Sequence, residues 1–235
     1  PKHTFNLRGV FRNPPVLIIA AYLAVLLLGT SLLLLPFAVQ SGVAADPVTA
    51  LFTATSALCV TGLTTVTTLT YWSFFGQAVI LFLIQVGGLG VVTMAAAVIT
   101  LTGAQIGLLP RLAVQDAVSA PELGSVLNFM KFLIAGTFCI EGIGALCLLP
   151  VFAGQFGFVK GLGYAVFHSI SGFCNAGFDL MGAQEQFSSL TAYASNAAVN
   201  IVIMLLIILG GLGFLTWSDL INNRFRLKRL RLQTK

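Results

Sequence analysis

The chain has 235 residues, of which 57% are hydrophobic and only 8% are charged, and its mean hydropathy is +0.98. Because a soluble domain would carry about three times that share of charge, the composition excludes an ordinary soluble protein and indicates an integral membrane protein. The net charge of +5 would suggest a nucleic-acid partner in a soluble protein. Here we expect the lipid bilayer as the partner and no nucleic acid.

Four apolar segments are predicted to cross the membrane as helices, at residues 14–37, 71–101, 126–150 and 192–217. The polar or basic segments around them are an N-terminus, a connector and a tail, at residues 1–13, 102–125 and 218–235. Eleven of the 12 Lys and Arg residues fall in or beside these three segments, and the exception is Lys160. Since cytoplasmic loops carry the excess of Lys and Arg, we expect a multi-pass protein of the cell membrane with both chain ends in the cytoplasm.

A short helix is predicted at residues 47–59, between the first two spans. Its 13 residues would extend about 20 Å, against a hydrocarbon core of roughly 30 Å, so it cannot cross the bilayer. Residues 60–64 then break the helix with a glycine at Gly62. Non-helical backbone at membrane depth is tolerated where it is buried in protein or lines a watery cavity. The pattern therefore predicts a re-entrant pore helix followed by an ion-selecting loop.

The same order of segments occurs twice in the chain. Four residues of the first half recur 115 positions later, which pairs Phe52, Ser56, Cys59 and Gly62 with Phe167, Ser171, Cys174 and Gly177. The recurrence predicts a second pore helix at residues 161–174 and a second loop at 175–179. We therefore predict an all-α membrane fold of two tandem parallel span–pore helix–span (M1-P-M2) repeats, at residues 14–101 and 126–217. Parallel units around an axis normal to the membrane place equivalent loops in a ring, as in a K⁺ channel.

The two loops carry the residues that we expect to bind an ion. A dehydrated cation needs oxygen ligands in place of its water, and backbone carbonyls supply them where the chain is extended. Glycine helps because it adopts positive φ at little cost. The predicted ion-binding residues are Val60, Thr61 and Gly62 in the first loop and Asn175, Ala176 and Gly177 in the second. The competing interpretation of each glycine is a helix C-cap.

Other polar residues are predicted to support the loops. Thr64, among the hydroxyls after Gly62, suits a wet outer vestibule, and Asp179 is either an acid that concentrates cations at the mouth or a solvated turn residue. Glu141 is the acid inside a span, where a charge is costly. Three interpretations of Glu141 stay open: a brace that accepts backbone N–H bonds from the second loop, a protonated packing residue, and an ion or proton site.

Two glycine clusters lie in the second helix of each repeat and suggest close packing or a gating hinge. They are Gly87, Gly88 and Gly90, and Gly210, Gly211 and Gly213. The four cysteines form no C-x-x-C pair, and no His lies at metal-ligand spacing, so we expect no cofactor in this chain. No nucleophile–base pair appears in either loop region, so we expect no enzyme activity.

The segments TSALCVTGLTT (55–65) and HSISGFCNAGFD (168–179), with the two GGLG segments, resemble the first and second repeats of the Trk/Ktr/HKT superfamily, closest to the bacterial Ktr-type membrane subunit. Gly62 and Gly177 match the filter glycines of that family. The resemblance implies K⁺ uptake through one pore lined by four repeats, with K⁺ at the filter carbonyls and Na⁺ dependence in some members. It also implies a membrane homodimer on a cytosolic ring of nucleotide-binding regulatory subunits.

This sequence departs from the family pattern because only two of the four repeats are present, so it corresponds to an N-terminal half. A missing C-terminal half or a second copy would have to complete the pore. The alternatives are a Na⁺-conducting or non-selective member of the same architecture and an ion-coupled secondary carrier. The carrier would be expected to hold more intramembrane acids than Glu141.

Overall fold

The structure is a computed structural model that describes residues 14–90, 126–183, 185–213, 216–217 and 219–220. Within those ranges the secondary structure is helical, with one isolated β-bridge between Val39 and Trp72, which confirms the all-helical expectation. The predicted N-terminus at 1–13, the connector at 102–125 and the basic tail beyond residue 220 lie outside the described residues.

Residues 14–90, the described part of the first half, contain four α-helices and one 3₁₀ turn. In chain order they are α1 (Pro14–Leu33), the 3₁₀ turn (Pro36–Ala38), α2 (Pro47–Leu58), α3 (Thr68–Tyr71) and α4 (Phe74–Leu89). Helix α2 spans 12 residues and ends one residue before the predicted end at residue 59. Helix α4 ends at Leu89, and Gly90 follows it with a φ of +84°. A glycine at positive φ is the usual way to stop a helix.

Between residues 126 and 213, the described positions form three α-helices and another 3₁₀ turn. They are α5 (Val126–Phe156), α6 (Phe158–Phe173), the 3₁₀ turn (Thr191–Tyr193) and α7 (Ala197–Gly211). Helix α6 begins three residues earlier than the predicted short helix at 161–174 and ends one residue earlier. Helix α7 begins at residue 197 rather than 192, because Asn196 accepts hydrogen bonds from the N–H groups of Ala198 and Val199 and starts the helix there.

The predicted third span at 126–150 lies within a longer helix that does not end at Pro150. Helix α5 has 31 residues and continues through Pro150 to Phe156. A proline removes one backbone hydrogen bond from a helix, but packing beyond it favours continuation. Phe152, two residues after the proline, is fully buried, and its ring contacts the rings of His168 and Tyr193 at centroid distances of 5.4 Å.

One helical segment of the described chain is long and apolar enough to cross a membrane by length and composition, the 26 residues at 131–156. The other apolar helical segments are shorter, at Ile18–Leu33, Pro47–Leu58, Phe74–Leu89 and Ala197–Gly211. The 16 residues of α4 extend about 24 Å, less than a hydrocarbon core of roughly 30 Å. The predicted span at 71–101 also includes residues 91–101, which lie outside the described residues.

The main buried core joins the two halves of the chain. Leu33, Trp72 and Ile80 of the first half belong to the same cluster as Phe173 and Phe178 of the second. A smaller cluster surrounds Phe152, between α5, α6 and α7. Because the larger core contains side chains from both halves, burial of apolar surface holds the ends of α2 and α6 in one place.

Candidate functional site

Helix α2 begins at a capped N-terminus that the sequence encodes directly. Asp46 Oδ2 accepts hydrogen bonds from the N–H groups of Val48 and Thr49, both at 3.1 Å, and Pro47 is the first helical residue. These contacts satisfy two of the N–H groups that a helix start leaves without partners. Helix α6 has no such side-chain cap, since Gly157 precedes it with a φ of +80°.

Both short helices end in the same backbone motif. After α2, the N–H of Thr61 bonds to the carbonyl of Ser56 at 3.0 Å, and that of Val60 bonds to Ala57 at 3.3 Å. After α6, the equivalent bonds run from Ala176 to Ser171 at 2.8 Å and from Asn175 to Gly172 at 3.1 Å. This 6→1 and 5→2 pattern is a Schellman motif. The correspondence at an offset of 115 residues therefore extends from side-chain identity to backbone hydrogen bonding.

The residue that occupies the left-handed position of each motif is not glycine. Val60 and Asn175 both have a φ of +57°. Asparagine tolerates this region, but a β-branched valine there is a true outlier that costs about 1–3 kcal/mol. Such a conformation persists only where the surrounding structure imposes it. The first loop is therefore held in a strained form by its neighbours.

Gly62 and Gly177 follow two residues later, again at positive φ, with values of +72° and +75°. The two glycines lie side by side. A Cβ built on Gly62 would come within 2.5 Å of the Ala176 carbonyl oxygen and 3.3 Å of the Gly177 Cα. The structure thus brings together the two loops that the sequence predicts as ion-binding, although they are more than 100 positions apart.

Glycines of α4 and α7 lie against the ends of the two short helices. A Cβ on Gly87 would overlap the carbonyl oxygen of Leu58, the last residue of α2. A Cβ on Gly210 would likewise overlap the carbonyl oxygen of Phe173, the last residue of α6. Because glycine has no side chain, α4 can approach the end of α2 this closely, and α7 the end of α6.

The remaining members of the two glycine clusters have different surroundings. Gly88 lies against the Cys174 side chain, whereas the nearest atom to a Cβ on Gly211 would be Asn175 Nδ2 at 4.0 Å. Gly90 and Gly213 follow their helices at φ values of +84° and +80°. Each cluster therefore combines a packing glycine with a glycine that has the conformation of a helix end.

Glu141 is buried and lies between α4 and the end of α6. Its Oε1 accepts hydrogen bonds from Gln85 Nε2 at 3.0 Å and from the Cys174 thiol at 3.9 Å. Both donors are side chains, whereas the brace interpretation, one of the three left open, expects backbone N–H donors from the second loop. The Glu141 backbone carbonyl accepts a further bond from Ser169 Oγ at 2.6 Å. Gln85 was missed in the sequence, and its signal was a second polar side chain inside an apolar segment.

His168 and Ser171 hold the loop that follows Gly177. The N–H of Leu180 donates to His168 Nε2 at 3.3 Å, and His168 Nδ1 lies 2.7 Å from the carbonyl oxygen of Tyr164. Since the carbonyl can only accept, Nδ1 carries a proton, and since Nε2 accepts from the Leu180 N–H, it carries none and the ring is neutral. Ser171 Oγ donates to the Phe178 carbonyl at 2.6 Å. These bonds agree with a structural rather than a catalytic histidine.

A cavity of about 160 Å³ opens beside the paired glycines. Its lining is rich in hydroxyls and comprises Gly62, Thr64, Thr67, Thr68, Gly177, Asp179, Phe187 and Ser189. Asp179 also accepts a hydrogen bond from the N–H of Met181 at 2.8 Å, so the acid has a turn role as well as a place in the cavity wall. Thr64 and Asp179 therefore line the same polar cavity.

Comparison with known proteins identifies the family. The family model described as TrkH, cation transport protein, matches residues 6–234. The chain belongs to the TrkH family of cation transport proteins. This is a family of membrane transporters and not a class of enzymes, in agreement with the expectation from the sequence.

Individual relatives support the same assignment. The chain is 40% identical over 223 residues to the potassium/sodium uptake protein NtpJ of Enterococcus hirae, covering 95% of this chain and 48% of the relative. It is 41% identical over 225 residues to the Ktr system potassium uptake protein B of Bacillus subtilis, with coverage of 96% and 48%. The Vibrio alginolyticus protein of the same name is 33% identical over 226 residues, with coverage of 92% and 48%. The chain thus spans about half the length of these relatives.

Proposed function

We propose that this chain forms part of the ion pathway of a K⁺ uptake protein of the cell membrane. The observation that carries the proposal is the contact between Gly62 and the Ala176–Gly177 backbone, where two loops of the same conformation meet. The proposed substrate, K⁺, comes from the names of the relatives, which are potassium uptake proteins. K⁺ is the substrate here, not a resident cofactor, and no cofactor is part of the proposal.

In this proposal the carbonyls of Val60, Thr61, Asn175 and Ala176 replace the water of the cation, with Gly62 and Gly177 allowing the chain to turn. The C-terminal ends of α2 and α6 lie at the start of the two loops. Because a helix C-terminus carries a partial negative charge, two such ends beside one site favour a cation. The polar cavity beside the glycines would serve as the vestibule, with Asp179 on its wall.

The architecture that fits this site is two span–pore helix–span units, α1–α2–α4 and α5–α6–α7. Helices α2 and α6 would be the re-entrant pore helices, and both chain ends would face the cytoplasm. Two loops make half of a four-walled pore, so further repeats of the whole protein or a second copy would supply the remaining walls. The names of the Ktr relatives refer to a system, and we propose a homodimer with a cytosolic nucleotide-binding regulatory ring as its partners.

Growth of a strain that lacks K⁺ uptake, at limiting K⁺, tests this proposal when the full-length gene is supplied. The wild-type gene should restore growth, and Gly62→Asp should abolish it or reduce the preference for K⁺. Gly42→Asp is the matched control, because Gly42 has the same φ of +72° with no atom within 4 Å of an added Cβ. Failure of the wild-type gene, or equal growth of the two variants, would contradict the assignment.

A second candidate is Na⁺ conduction by the same pathway. The specific observation in its favour is the name of the Enterococcus hirae relative, a potassium/sodium uptake protein. Uptake of K⁺ and Na⁺ measured separately in the rescued strain distinguishes the candidates. Comparable uptake of both ions would favour the second one.

A further inference from the structure

Two polar side chains face each other inside the helical bundle, and the proposed ion pathway uses neither. They are Gln85 of α4 and Glu141 of α5, which are 7% and 4% exposed. Gln85 Nε2 donates to Glu141 Oε1 at 3.0 Å. This hydrogen bond joins residues 56 positions apart and links the two halves of the chain.

The hydrogen bonding of this pair lacks one donor. Glu141 Oε2 and Gln85 Oε1 are both buried, and neither has a hydrogen-bond partner among the described residues. An amide oxygen and a carboxylate oxygen only accept hydrogen bonds, so these two atoms cannot satisfy each other. A proton on Glu141 Oε2 would turn that oxygen into a donor, for which Gln85 Oε1 is an available acceptor. One proton would then satisfy both atoms.

The charges around Glu141 favour the same protonation state. Its hydrogen-bond partners in the described part of the chain are the Gln85 amide and the Cys174 thiol, and neither is cationic. An ionised carboxylate inside a membrane is costly, and burial makes an unpaired charge costlier still. A neutral acid avoids that cost and needs no counter-ion.

We propose that Glu141 is a neutral carboxylic acid that forms a two-bond acid–amide pair with Gln85. One bond is the observed Gln85 Nε2–H to Glu141 Oε1, and the other runs from the Glu141 hydroxyl to Gln85 Oε1. Glutamine and a protonated carboxylic acid are complementary for this arrangement because each offers one donor beside one acceptor. The pair links α4 to α5.

The pair also positions the second loop. Gly88 lies one helical turn after Gln85 and contacts Cys174, which directly precedes Asn175. The Cys174 thiol donates to the same Glu141 oxygen that Gln85 uses. Glu141 is therefore a positioning residue, and its consequence for ion selectivity rests on the proposed function of the loop. The acid–amide pair itself does not depend on what the loop binds.

Infrared spectroscopy of the full-length protein in lipid at neutral pH tests the proposal without measuring transport. The carbonyl stretch of a protonated carboxylic acid absorbs at higher wavenumber than a carboxylate or an amide. We expect this band in the wild-type protein and its loss in Glu141→Gln. Glu185→Gln makes the same chemical change at an exposed acid and should leave the band intact. A Glu141→Gln spectrum without any loss in this region would overturn the proposal, because Glu141 would then be ionised.

The variant Gln85→Leu tests the pairing and keeps Glu141 in place. Removing the amide takes away one donor and one acceptor, so the acid band should shift to higher wavenumber while remaining present. An unshifted band would overturn the pairing. This comparison also decides the proposal if Glu141→Gln does not fold, since it needs only the wild type and Gln85→Leu. Failure of K⁺ rescue by the wild-type gene would instead contradict the proposed function and leave the infrared result unaffected.

Discussion

The backbones of Gly62 and Gly177 lie side by side, and Gly62 has less space for an added Cβ than Gly177 has. A Cβ on Gly62 would meet the Ala176 carbonyl oxygen at 2.5 Å, whereas a Cβ on Gly177 would meet the Gly62 Cα at 3.6 Å. The first distance is a clash with backbone, and the second is ordinary van der Waals contact. Two equivalent positions of the repeat therefore differ in how much volume they tolerate.

Alanine substitutions should reveal this difference. Gly42, Gly62 and Gly177 have φ values of +72° to +75°, so each Gly→Ala change should cost about 1–2 kcal/mol from the backbone alone. Gly62→Ala should cost about 1–3 kcal/mol more, because the methyl group displaces the Ala176 carbonyl. Thermal unfolding of the purified protein and K⁺ preference in uptake are the measurements.

Gly42→Ala is the control for this series, since no atom lies within 4 Å of its added Cβ. We expect Gly62→Ala to be the most destabilised of the three variants. Gly177→Ala should lose about as much stability as Gly42→Ala. A Gly177→Ala variant that is as unstable as Gly62→Ala would contradict the asymmetry of the contact.

A second prediction concerns the glycines that pack against the ends of α2 and α6. Gly87→Ala and Gly210→Ala should each destabilise the protein by about 1–3 kcal/mol, since the new methyl groups overlap the carbonyls of Leu58 and Phe173. Both carbonyls lie at the start of the loops, so the K⁺ to Na⁺ uptake ratio should fall as well. Uptake of both ions and thermal unfolding check the prediction together.

The neighbouring residue Gly211 gives a matched control in the same helix. Its added Cβ would have no atom closer than Asn175 Nδ2 at 4.0 Å, so Gly211→Ala should be tolerated. Alanine also has a better helix propensity than glycine, by about 1 kcal/mol. If Gly210→Ala and Gly211→Ala behaved alike, close packing at Gly210 would not be the reason for its glycine.

The local chemistry of the sequence was sufficient to predict several of these features. Asp46 followed by Pro47 is typical of a helix start, and in the structure α2 begins at Pro47 with Asp46 as its N-cap. The glycines at 62 and 177 indicate positive φ, and both have it. These features depend on a few adjacent residues, which is why a sequence contains enough information to predict them.

Other features depend on contacts between distant residues and could not be predicted. Val60 adopts a left-handed conformation that its own side chain disfavours, so its sequence context argues against the observed backbone. The partner of Glu141 is Gln85, on a helix of the other half. Pro150 lies inside a helix because Phe152 is buried beyond it. In each case tertiary packing outweighs the local preference.

A third prediction concerns the neutral ring of His168. His168→Leu removes the acceptor of the Leu180 N–H, and Leu180 is buried. An unsatisfied buried N–H costs about 1–3 kcal/mol, so the variant should unfold at lower temperature and its loop after Gly177 should be less ordered. Hydrogen exchange at Leu180 measures the loss of this bond directly.

Tyr164→Phe is the control for the histidine. His168 bonds to the backbone carbonyl of Tyr164 and not to its hydroxyl, so this change should leave exchange at Leu180 as in the wild type. Equal protection of the Leu180 amide in His168→Leu and the wild type would show that the bond does not hold the loop.

The last prediction concerns the capped start of α2. Asp46→Ala removes the oxygen that accepts from Val48 and Thr49, and it should destabilise the protein by about 1 kcal/mol. Asp46→Asn keeps an acceptor oxygen at the same place. It should lower the stability by no more than a few tenths of a kcal/mol, because asparagine is about as good an N-cap as aspartate. Thermal unfolding of the three proteins in one detergent ranks them. If Asn were as damaging as Ala, the negative charge beside the helix N-terminus would be responsible, rather than the two hydrogen bonds, and raising the salt concentration should then reduce the difference from the wild type.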